Sequence, residues 1–578
     1  MKALLRIQPR LLWMALLCLG AAGPASAGGI APDLHSELQS RPLDLTPRRV
    51  IVQLARPNVS PSLLALAYGG LSIARLPGIQ AAVLSIPLTF IDELALDSAV
   101  AWVSPDRLVV RQNDYDHQTV GAHQVWASPG YGGTGVRVAV LDSGVVSNTA
   151  EWNRWGTSTS RVVGWKDLIN GYTAPYDDNG HGTHVAGALL GSGAASNQSI
   201  RGIAPDADLV AVKVLGQNGS GYTSTVIAGL DWCVTNRAAY NLRVVNLSLG
   251  QRPGESTTTD PLCAAVRRAV SAGLVVVCSA GNKGKNANGQ TVYGGISSPG
   301  NEPAALTVGA LNTMETGTRG DDRVASFSSR GPTYLDHWAK PDLVAPGNRI
   351  VSVRAPGSYL DAQLPNNRVD ADGSTPSTVD YFRLSGTSFA APQASGAAAL
   401  LLQAYPALDP NTVKGLLTFT AERLPVTDSW GYPLPSGLST VTQGAGSLNV
   451  VGALALAGCV SHGASAGAYW QTAAPTYSST INARTFSWNR NLYWADRVLS
   501  GNDLFGYRQQ AWSPQLFWGA STTWTGAVTS QSNGVAEQQA AWSNQAAWND
   551  GGLWGDQSTW GDDDVLAVGD APMHSVEL

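Results

Sequence analysis

Two short apolar runs, each followed directly by polar residues, stand out in the hydrophobic pattern of the chain. Residues 136–141 and 274–277 are rich in valine and come directly after glycine-containing segments. Such runs predict buried parallel strands. Asp142 follows the first run, and Cys278-Ser279-Ala280-Gly281-Asn282 follows the second. Because sites in open α/β sheets gather beyond the carboxyl ends of strands, the pattern predicts a functional site at these positions.

A longer apolar segment begins just after Ser388. Alanine or leucine occupies positions 390, 391, 394 and 397–402, so the segment is apolar on every side and predicts a buried helix. The N-terminus of a helix presents unpaired N–H groups and the positive end of the helix dipole. Ser388 is therefore expected where a developing negative charge would be stabilised.

Three separate segments carry an acid, a base and a nucleophile. They are Asp142 in Val-Ala-Val-Leu-Asp-Ser-Gly, His181 in Asp-Asn-Gly-His-Gly-Thr-His-Val-Ala-Gly, and Ser388 in Ser-Gly-Thr-Ser-Phe-Ala-Ala-Pro. A nucleophilic serine needs a base, and the base needs an acid that fixes its tautomer. Taken singly, Asp142 is a turn residue, His181 and His184 are a candidate metal pair, and Ser388 is a helix cap.

These segments, in the order Asp, His, Ser, resemble those of the subtilases, the subtilisin-like serine peptidases. The resemblance covers roughly residues 48 to 450. It implies an α/β fold of three layers with a mostly parallel central sheet, preceded by a small α+β (ferredoxin-like) propeptide. It also implies a serine endopeptidase that forms an acyl-enzyme on Ser388, with Asn282 donating a hydrogen bond to the oxyanion. The turn-forming Gly-Asn pair is the alternative explanation of Asn282.

The same resemblance assigns a substrate-binding strand and the walls of a specificity pocket. Ser248, Leu249 and Gly250 would pair with an extended peptide by backbone hydrogen bonds. Together with Ser279, Ala280 and Gly281, and with residues 297–300, they would enclose the primary pocket. None of these residues is charged, which predicts a hydrophobic or broad preference. One departure from many family members is Gln393, where they carry histidine; altered packing is expected there, with activity retained.

The remaining segments suggest an exported precursor. Lys2, Arg6 and Arg10 precede an apolar run that ends in Ala25-Ser26-Ala27, as in a secretory signal peptide. A β-α-β-β-α-β pattern follows and resembles the inhibitory subtilase propeptide, whose tail occupies the active site until it is cleaved between Arg111 and Thr119. The predicted organisation is signal peptide 1–27, linker 28–47, propeptide 48–115, catalytic domain 119–450 and C-terminal extension 451–578.

The composition of the chain limits the kinds of molecule that it is expected to bind. Only 14% of residues are charged and the formal net charge is −5, so no basic surface for nucleic acid is expected. No later stretch reaches the length of a transmembrane helix, and an extracellular or periplasmic protein is expected, with proteins or peptides as substrates. In that oxidising environment the resemblance makes Cys233 and Cys263 the candidate disulfide.

No cofactor is required by this chemistry, although structural calcium is suggested by the family. The segment 191–201 resembles a loop that often binds calcium. It offers Asn197 and backbone carbonyls without an acidic ligand, so no metal ligands are assigned.

The C-terminal extension contains ten of the 19 tryptophans, with gaps of six or eighteen residues: Trp470, Trp488, Trp494, Trp512, Trp518, Trp524, Trp542, Trp548, Trp554 and Trp560. An even period puts all ten on one side of an extended strand, whereas it scatters them around a helix. Three interpretations stay open: a poorly ordered or processed tail, a strip over the catalytic domain, and an adhesive or glycan-binding repeat. For the whole chain, the alternatives are a non-enzymatic binding module and a processing protease with few substrates.

Overall fold

The computed structural model describes residues 29–106, 108–111, 119–369, 381–427, 432–460, 473, 475–494 and 497–500. They belong to two compact units, one from residues 1–75 and 80–105, the other from residues 76–79 and 106–578. The predicted signal peptide and residues 112–118, which hold the predicted cleavage region, lie outside the described residues. No described helix is both long and apolar enough to cross a membrane.

The first unit is an α+β layer with the order β1-β5-β2-β4-β3 in its sheet. Its elements are β1 (Gly29–Ile30), α1 (Pro32–Ser40), β2 (Pro47–Leu54), α2 (Pro61–Ala67), β3 (Leu71–Leu76), β4 (Ala81–Pro87), α3 (Ile91–Ala95) and β5 (Val100–Pro105). From β2 to β5 this is the predicted β-α-β-β-α-β pattern. Strand β2 pairs antiparallel with both β4 and β5, and its alternate apolar residues enter the core.

Residues 28–47, which the sequence predicts to be linker, are partly folded. They contain β1 and α1, and β1 pairs parallel with β5. Ala31, Leu34 and Leu38 are buried in the core of this unit. Leu34 and Leu38 are four positions apart and therefore lie on the same face of α1. Polar residues surround both leucines in the sequence, so this apolar face was not predicted.

The second unit is built on an eight-stranded sheet with the order β15-β14-β13-β11-β7-β9-β8 and with β16 beside β14. Every pair in it is parallel except β14 with β15. The strands of this unit are β6 (Leu108–Arg111), β7 (Arg137–Asp142), β8 (Val162–Asp167), β9 (Asp208–Lys213), β10 (Ser220–Tyr222), β11 (Leu242–Leu247), β12 (Leu249–Gly250), β13 (Val275–Ser279), β14 (Leu306–Asn312), β15 (Arg323–Val324), β16 (Leu343–Pro346), β17 (Ile350–Val353), β18 (Arg368–Val369), β19 (Tyr381–Leu384), β20 (Ser478–Ile481), β21 (Arg484–Ser487), β22 (Asn491–Trp494) and β23 (Arg497–Ser500).

Helices cover both faces of this sheet. They are α4 (Ala122–Ala127), α5 (His181–Leu190), α6 (Thr223–Thr235), α7 (Arg237–Tyr240), α8 (Pro261–Ser271), α9 (Tyr359–Gln363), α10 (Thr387–Ala404), α11 (Pro410–Phe419), α12 (Ser436–Gln443) and α13 (Val450–Ala457). Val138 and Val140 of β7 lie in one core with Phe389 of α10. Leu141 points to the other face, where its Cδ2 lies 3.1 Å from the position a Cβ would take on Gly229 of α6. The central sheet is thus the middle of three layers, as predicted.

The packed unit continues past the predicted boundary at residue 450. Helix α13 begins there, and Leu456 and Trp488 lie in the same core as the sheet. The hairpin β20–β21 carries Ile481, which is fully buried. Trp488 donates its Nε1–H to Ser479 Oγ at 2.8 Å. The first part of the predicted extension therefore packs against the catalytic core. Apart from Trp488, the side chains of the tryptophan array lie outside the described part of the structure.

Candidate active site

The acid and the base of the predicted triad are in direct contact. Asp142 is the last residue of β7 and His181 is the first residue of α5. His181 Nδ1 lies 2.7 Å from Asp142 Oδ1, and both side chains are buried. Asp142 Oδ1 also accepts the N–H of Ser143 at 2.7 Å. Because a carboxylate accepts a hydrogen bond from Nδ1–H, this contact selects the tautomer whose Nε2 can accept a proton.

The predicted nucleophile is the second residue of α10. Gly386 precedes the helix with φ +150° and ψ 166°, a conformation that is essentially restricted to glycine. This turn brings Ser388 to the first helical turn, where backbone N–H groups have no partner within the helix. Ser388 is fully buried, and its Oγ–H donates to the carbonyl of Ser248 at 3.0 Å. Phe389 packs edge-on against the His181 ring, with centroids 5.2 Å apart.

The amide of Asn282 is anchored beside the nucleophile. Its Oδ1 accepts the N–H of Thr387 at 2.9 Å and lies 3.1 Å from Thr387 Oγ1. The same Thr387 hydroxyl accepts the N–H of Gly281 at 3.0 Å. With Oδ1 held in this way, Asn282 Nδ2 is the group left to donate. It is adjacent to the start of α10, where the backbone N–H of Ser388 belongs to the first helical turn.

A peptide segment of the chain itself lies between the predicted substrate strand and a second strand. Strand β6 pairs antiparallel with β12 on one side and with β10 on the other. Arg111 is paired with Leu249, and Val110 with both Gly250 and Ser220. The predicted substrate strand therefore pairs with an extended segment of the same chain by backbone hydrogen bonds. The flanking strand β10 was not predicted, since its Ser-Gly-Tyr sequence carries no apolar run.

The predicted pocket walls converge on Ser297. A Cβ on Gly281 would lie 2.5 Å from Ser297 Oγ, and one on Gly250 would lie 2.8 Å from Ser297 Cβ. Ser248, Leu249, Ser279 and Ala280 are also fully buried. Only glycine leaves room at these two walls. Ser297 Oγ itself has no hydrogen-bond partner among the described residues.

Asp177 organises the segment around His181, a role that sequence reasoning missed. Its Oδ1 accepts the Ser143 hydroxyl at 2.9 Å and the Gly180 N–H at 2.8 Å. Its Oδ2 accepts the N–H and the hydroxyl of Thr183 at 2.8 and 2.7 Å. One buried carboxylate thus joins the residue after Asp142 to the first turn of α5. The signal in the sequence is an aspartate four positions before the helix begins.

His184 is a packing residue and not a partner of His181 in metal binding. It is buried, its Nε2–H donates to the carbonyl of Phe382 at 2.9 Å, and its ring packs edge-on against Phe389 at 4.4 Å. Burial lowers the pKa of His184 to about 3, so the ring is neutral at ordinary pH. The described residues contain no cluster of three or more His, Cys, Asp or Glu side chains suited to a metal ion.

The predicted disulfide between Cys233 and Cys263 is absent. Cys233 lies on α6 and Cys263 lies on α8, and these two helices pack side by side as expected. Both cysteines are nevertheless buried free thiols. Cys263 Sγ instead points at Asn301 Oδ1, 3.3 Å away, and at Ser298 Oγ. Proximity of the two helices was predicted correctly, whereas the direction of each thiol depends on neighbours distant in the sequence.

Gln393 occupies the position where many subtilases carry histidine. It is fully buried on α10, and neither amide atom has a hydrogen-bond partner among the described residues. It lines a small cavity together with Glu151, Ser352 and Tyr381. Within the described residues no hydrogen bond joins Gln393 to the Asp142–His181 pair.

An Asp–His pair beside a serine at a helix N-terminus, on a parallel sheet, is the arrangement of a serine protease. Residues 133–453 match the model of the subtilase family. The chain is 43% identical over 294 residues to serine protease AprX of Bacillus subtilis, covering 49% of this chain and 61% of that protein. It is 35% identical over 354 residues to subtilisin E of the same species, covering 60% and 76%. The protein belongs to the subtilase family, the subtilisin-like serine proteases.

The fold has a counterpart among solved structures. Fervidolysin from Fervidobacterium pennivorans, described as a keratinolytic enzyme related to subtilisin, aligns with a TM-score of 0.53 at 22% identity. The alignment covers 74% of this chain and 63% of fervidolysin. At this identity the likeness concerns the fold alone. The chain spans about three fifths of the length of AprX and about three quarters of that of subtilisin E.

Proposed function

We propose that this protein is an endopeptidase that cleaves peptide bonds of proteins through an acyl-enzyme on Ser388. The observation that carries the proposal is the 2.7 Å hydrogen bond between His181 and Asp142, with Ser388 at the start of α10. Ser388 Oγ attacks the scissile carbonyl while His181 Nε2 takes its proton, and Asp142 holds the imidazole through Nδ1–H. His181 then returns the proton to the leaving amine, and water hydrolyses the ester in the same way.

The oxyanion receives its hydrogen bonds from Asn282 Nδ2 and from the N–H of Ser388. The Asn282 amide is oriented before the substrate arrives, because its oxygen is already bound to Thr387. Donors that are fixed in advance need no reorganisation when the charge develops, and one such donor contributes about 100- to 1000-fold to the rate. Because Ser388 Oγ–H donates to the Ser248 carbonyl, the hydroxyl must leave that carbonyl to reach His181. This chemistry requires no cofactor.

We also propose that the protein is made as a zymogen and exported. The pairing of β6 with β10 and β12 supports this, since the chain that follows the first unit lies along the strand assigned to substrate. Cleavage is expected between Arg111, which pairs with Leu249, and Thr119. The N-terminal apolar segment with its Ala-Ser-Ala ending supports export to an extracellular or periplasmic location.

The test compares the full precursor with its Ser388→Ala variant, following chain length and casein hydrolysis together. Shortening of the wild-type chain alone, with a new N-terminus within residues 112–119 and casein cleaved, is the expected result. If both proteins keep their full length and neither cleaves casein or a peptide library, the proposal is wrong and a binding module on a protease scaffold becomes the better account. Cleavage of only a few peptides would indicate a dedicated processing protease.

A further inference from the structure

Glu151 is the centre of the loop that family resemblance connects with calcium. Its side chain is fully buried, which is rare for a carboxylate unless its oxygens are paired. Oε2 accepts the N–H of Gly193 at 2.7 Å, and Oε1 accepts the N–H of Ala195 at 2.9 Å. The loop that follows α5 is therefore wrapped around a carboxylate contributed from more than forty residues earlier in the chain.

The same carboxylate reaches the strand that leads to the nucleophile. The hydroxyl of Tyr381, in β19, donates to Glu151 Oε1 at 2.5 Å and lies 3.0 Å from Ser196 Oγ. Tyr381 is buried, and β19 ends four residues before Ser388. The backbone carbonyl of Glu151 is also occupied, by the guanidinium of Arg161 at 2.7 Å. The loop, β19 and Glu151 are thus one hydrogen-bonded unit.

This donor pattern does not suit a calcium ion. Calcium takes six to eight oxygen ligands, mostly carboxylates and carbonyls, with their lone pairs turned toward the ion. Around Glu151 the N–H groups of Gly193 and Ala195 and the Tyr381 hydroxyl turn their hydrogens inward instead. Their partial positive charges stabilise the carboxylate and oppose a cation at the same place.

We propose that Glu151 holds the loop 191–201 and strand β19 in place by hydrogen bonding, where family resemblance suggests a bound calcium ion. The Glu151 carboxylate accepts hydrogen bonds from both the loop and the strand, and the partial positive charges of the backbone N–H groups stabilise its negative charge. The fold of this region is consequently independent of calcium. This inference is separate from the catalytic proposal, because it concerns thermal unfolding and not turnover.

The test measures thermal unfolding in the Ser388→Ala background, which prevents self-digestion. We expect the same Tm in EDTA and in added calcium, and a Tm lowered by roughly 5 °C or more in Glu151→Gln, because its NH2 group would face the loop N–H groups. The matched control is Glu315→Gln, an exposed carboxylate paired with Arg349, which should melt like the parent.

Two results would overturn the proposal. One is a Tm that rises with calcium in the parent but not in Glu151→Gln, which would make Glu151 a metal ligand. The other is a Glu151→Gln protein that melts with the parent. An equal rise in both proteins would place a calcium ion away from Glu151 and leave the proposal standing. If Glu151→Gln does not fold, Tyr381→Phe takes its place: its Tm should lie below that of the parent, because Glu151 loses one hydrogen-bond donor, and a Tm equal to that of the parent would overturn the proposal.

Discussion

Ser248 and Ser388 exchange two hydrogen bonds across the active site. The hydroxyl of Ser388 donates to the backbone carbonyl of Ser248 at 3.0 Å, and the hydroxyl of Ser248 donates to the backbone carbonyl of Ser388 at 2.5 Å. The second bond exists because Pro392, four residues after Ser388, has no N–H to bond that carbonyl within the helix. The substrate strand and the nucleophile helix are therefore held together at the reacting residue itself.

Ser248→Ala tests this connection. It leaves the Ser388 carbonyl buried without a donor, so the free energy of unfolding should fall by about 1–3 kcal/mol. Urea denaturation in the Ser388→Ala background measures this, since that variant keeps the carbonyl in question. The control is Ser158→Ala, at an exposed position. Equal stability of the two variants would show that the bond to the Ser388 carbonyl contributes nothing.

Asn282→Asp tests the Nδ2 donor of Asn282 separately from its oxygen. The carboxylate keeps an acceptor for the Thr387 N–H but removes the Nδ2 donor and adds negative charge near the oxyanion. We expect kcat to fall by about 100-fold or more, with a smaller change in KM, because the lost interaction belongs to the transition state. Steady-state kinetics on one peptide substrate measures both constants. An unchanged kcat would remove Asn282 from the mechanism.

A buried lysine makes stability depend on pH above neutrality. Lys414 Nζ donates to the carbonyls of Pro303 and Ala305 and pairs with Asp342 at 3.0 Å, while Lys340 pairs with the other oxygen of Asp342. Burial lowers the pKa of Lys414 to about 7. Between pH 7 and the ordinary pKa of lysine, the Lys414 side chain binds a proton in the unfolded chain but not in the folded protein. The free energy of unfolding that Lys414 contributes therefore rises with pH in this range and falls as the pH is lowered toward 7.

Lys414→Met should remove that contribution. Between about pH 7.5 and 10, the slope of unfolding free energy against pH should be smaller than in the parent by about 1 kcal/mol per pH unit. Denaturant titrations of both proteins across this range give the slope, with other titrating groups cancelling in the difference. Parallel curves would mean that Lys414 stays charged throughout.

The hairpin β20–β21 makes the chain after residue 457 part of the folded unit. Trp488 is buried, Arg484 pairs with Glu422, and the N–H of Asn489 donates to the carbonyl of Ala421 at 2.8 Å. Trp488→Ala should therefore cost about 3–5 kcal/mol of stability. Truncation after Ala457 should destabilise more than truncation after Ser500. A protein as stable after the first truncation as after the second would support the tail interpretation for this whole segment.

Local motifs were enough to predict where Asp142 and Ser388 lie in the fold, because each position is determined by a few neighbours in the sequence. Asp142 ends an apolar strand, Ser388 starts an apolar helix, and both patterns are visible within ten residues. The contacts that could not be predicted join residues far apart in the sequence. Glu151 meets its loop partners through the fold, and the thiol of Cys263 turns toward Asn301 because of contacts that helix position alone does not specify.

The folded part of the predicted extension was hidden for a similar reason. Its short strands have few aliphatic residues, and their stability depends on partners such as Glu422 and Ala421 in the catalytic core. A composition that is too polar for a core of its own can still fold against an existing one. The period of the tryptophans did not predict that Trp488 is buried in the core of the second unit.

Labelling of the mature enzyme with a serine-directed sulfonyl fluoride tests the central claim most directly. Intact mass and peptide mapping should show one equivalent of label, located on Ser388, with casein hydrolysis lost in proportion, and no label on the His181→Ala variant, because the serine then lacks its base. Label on another residue, or full hydrolysis by a protein labelled at Ser388, would contradict the assignment of Ser388 as the nucleophile.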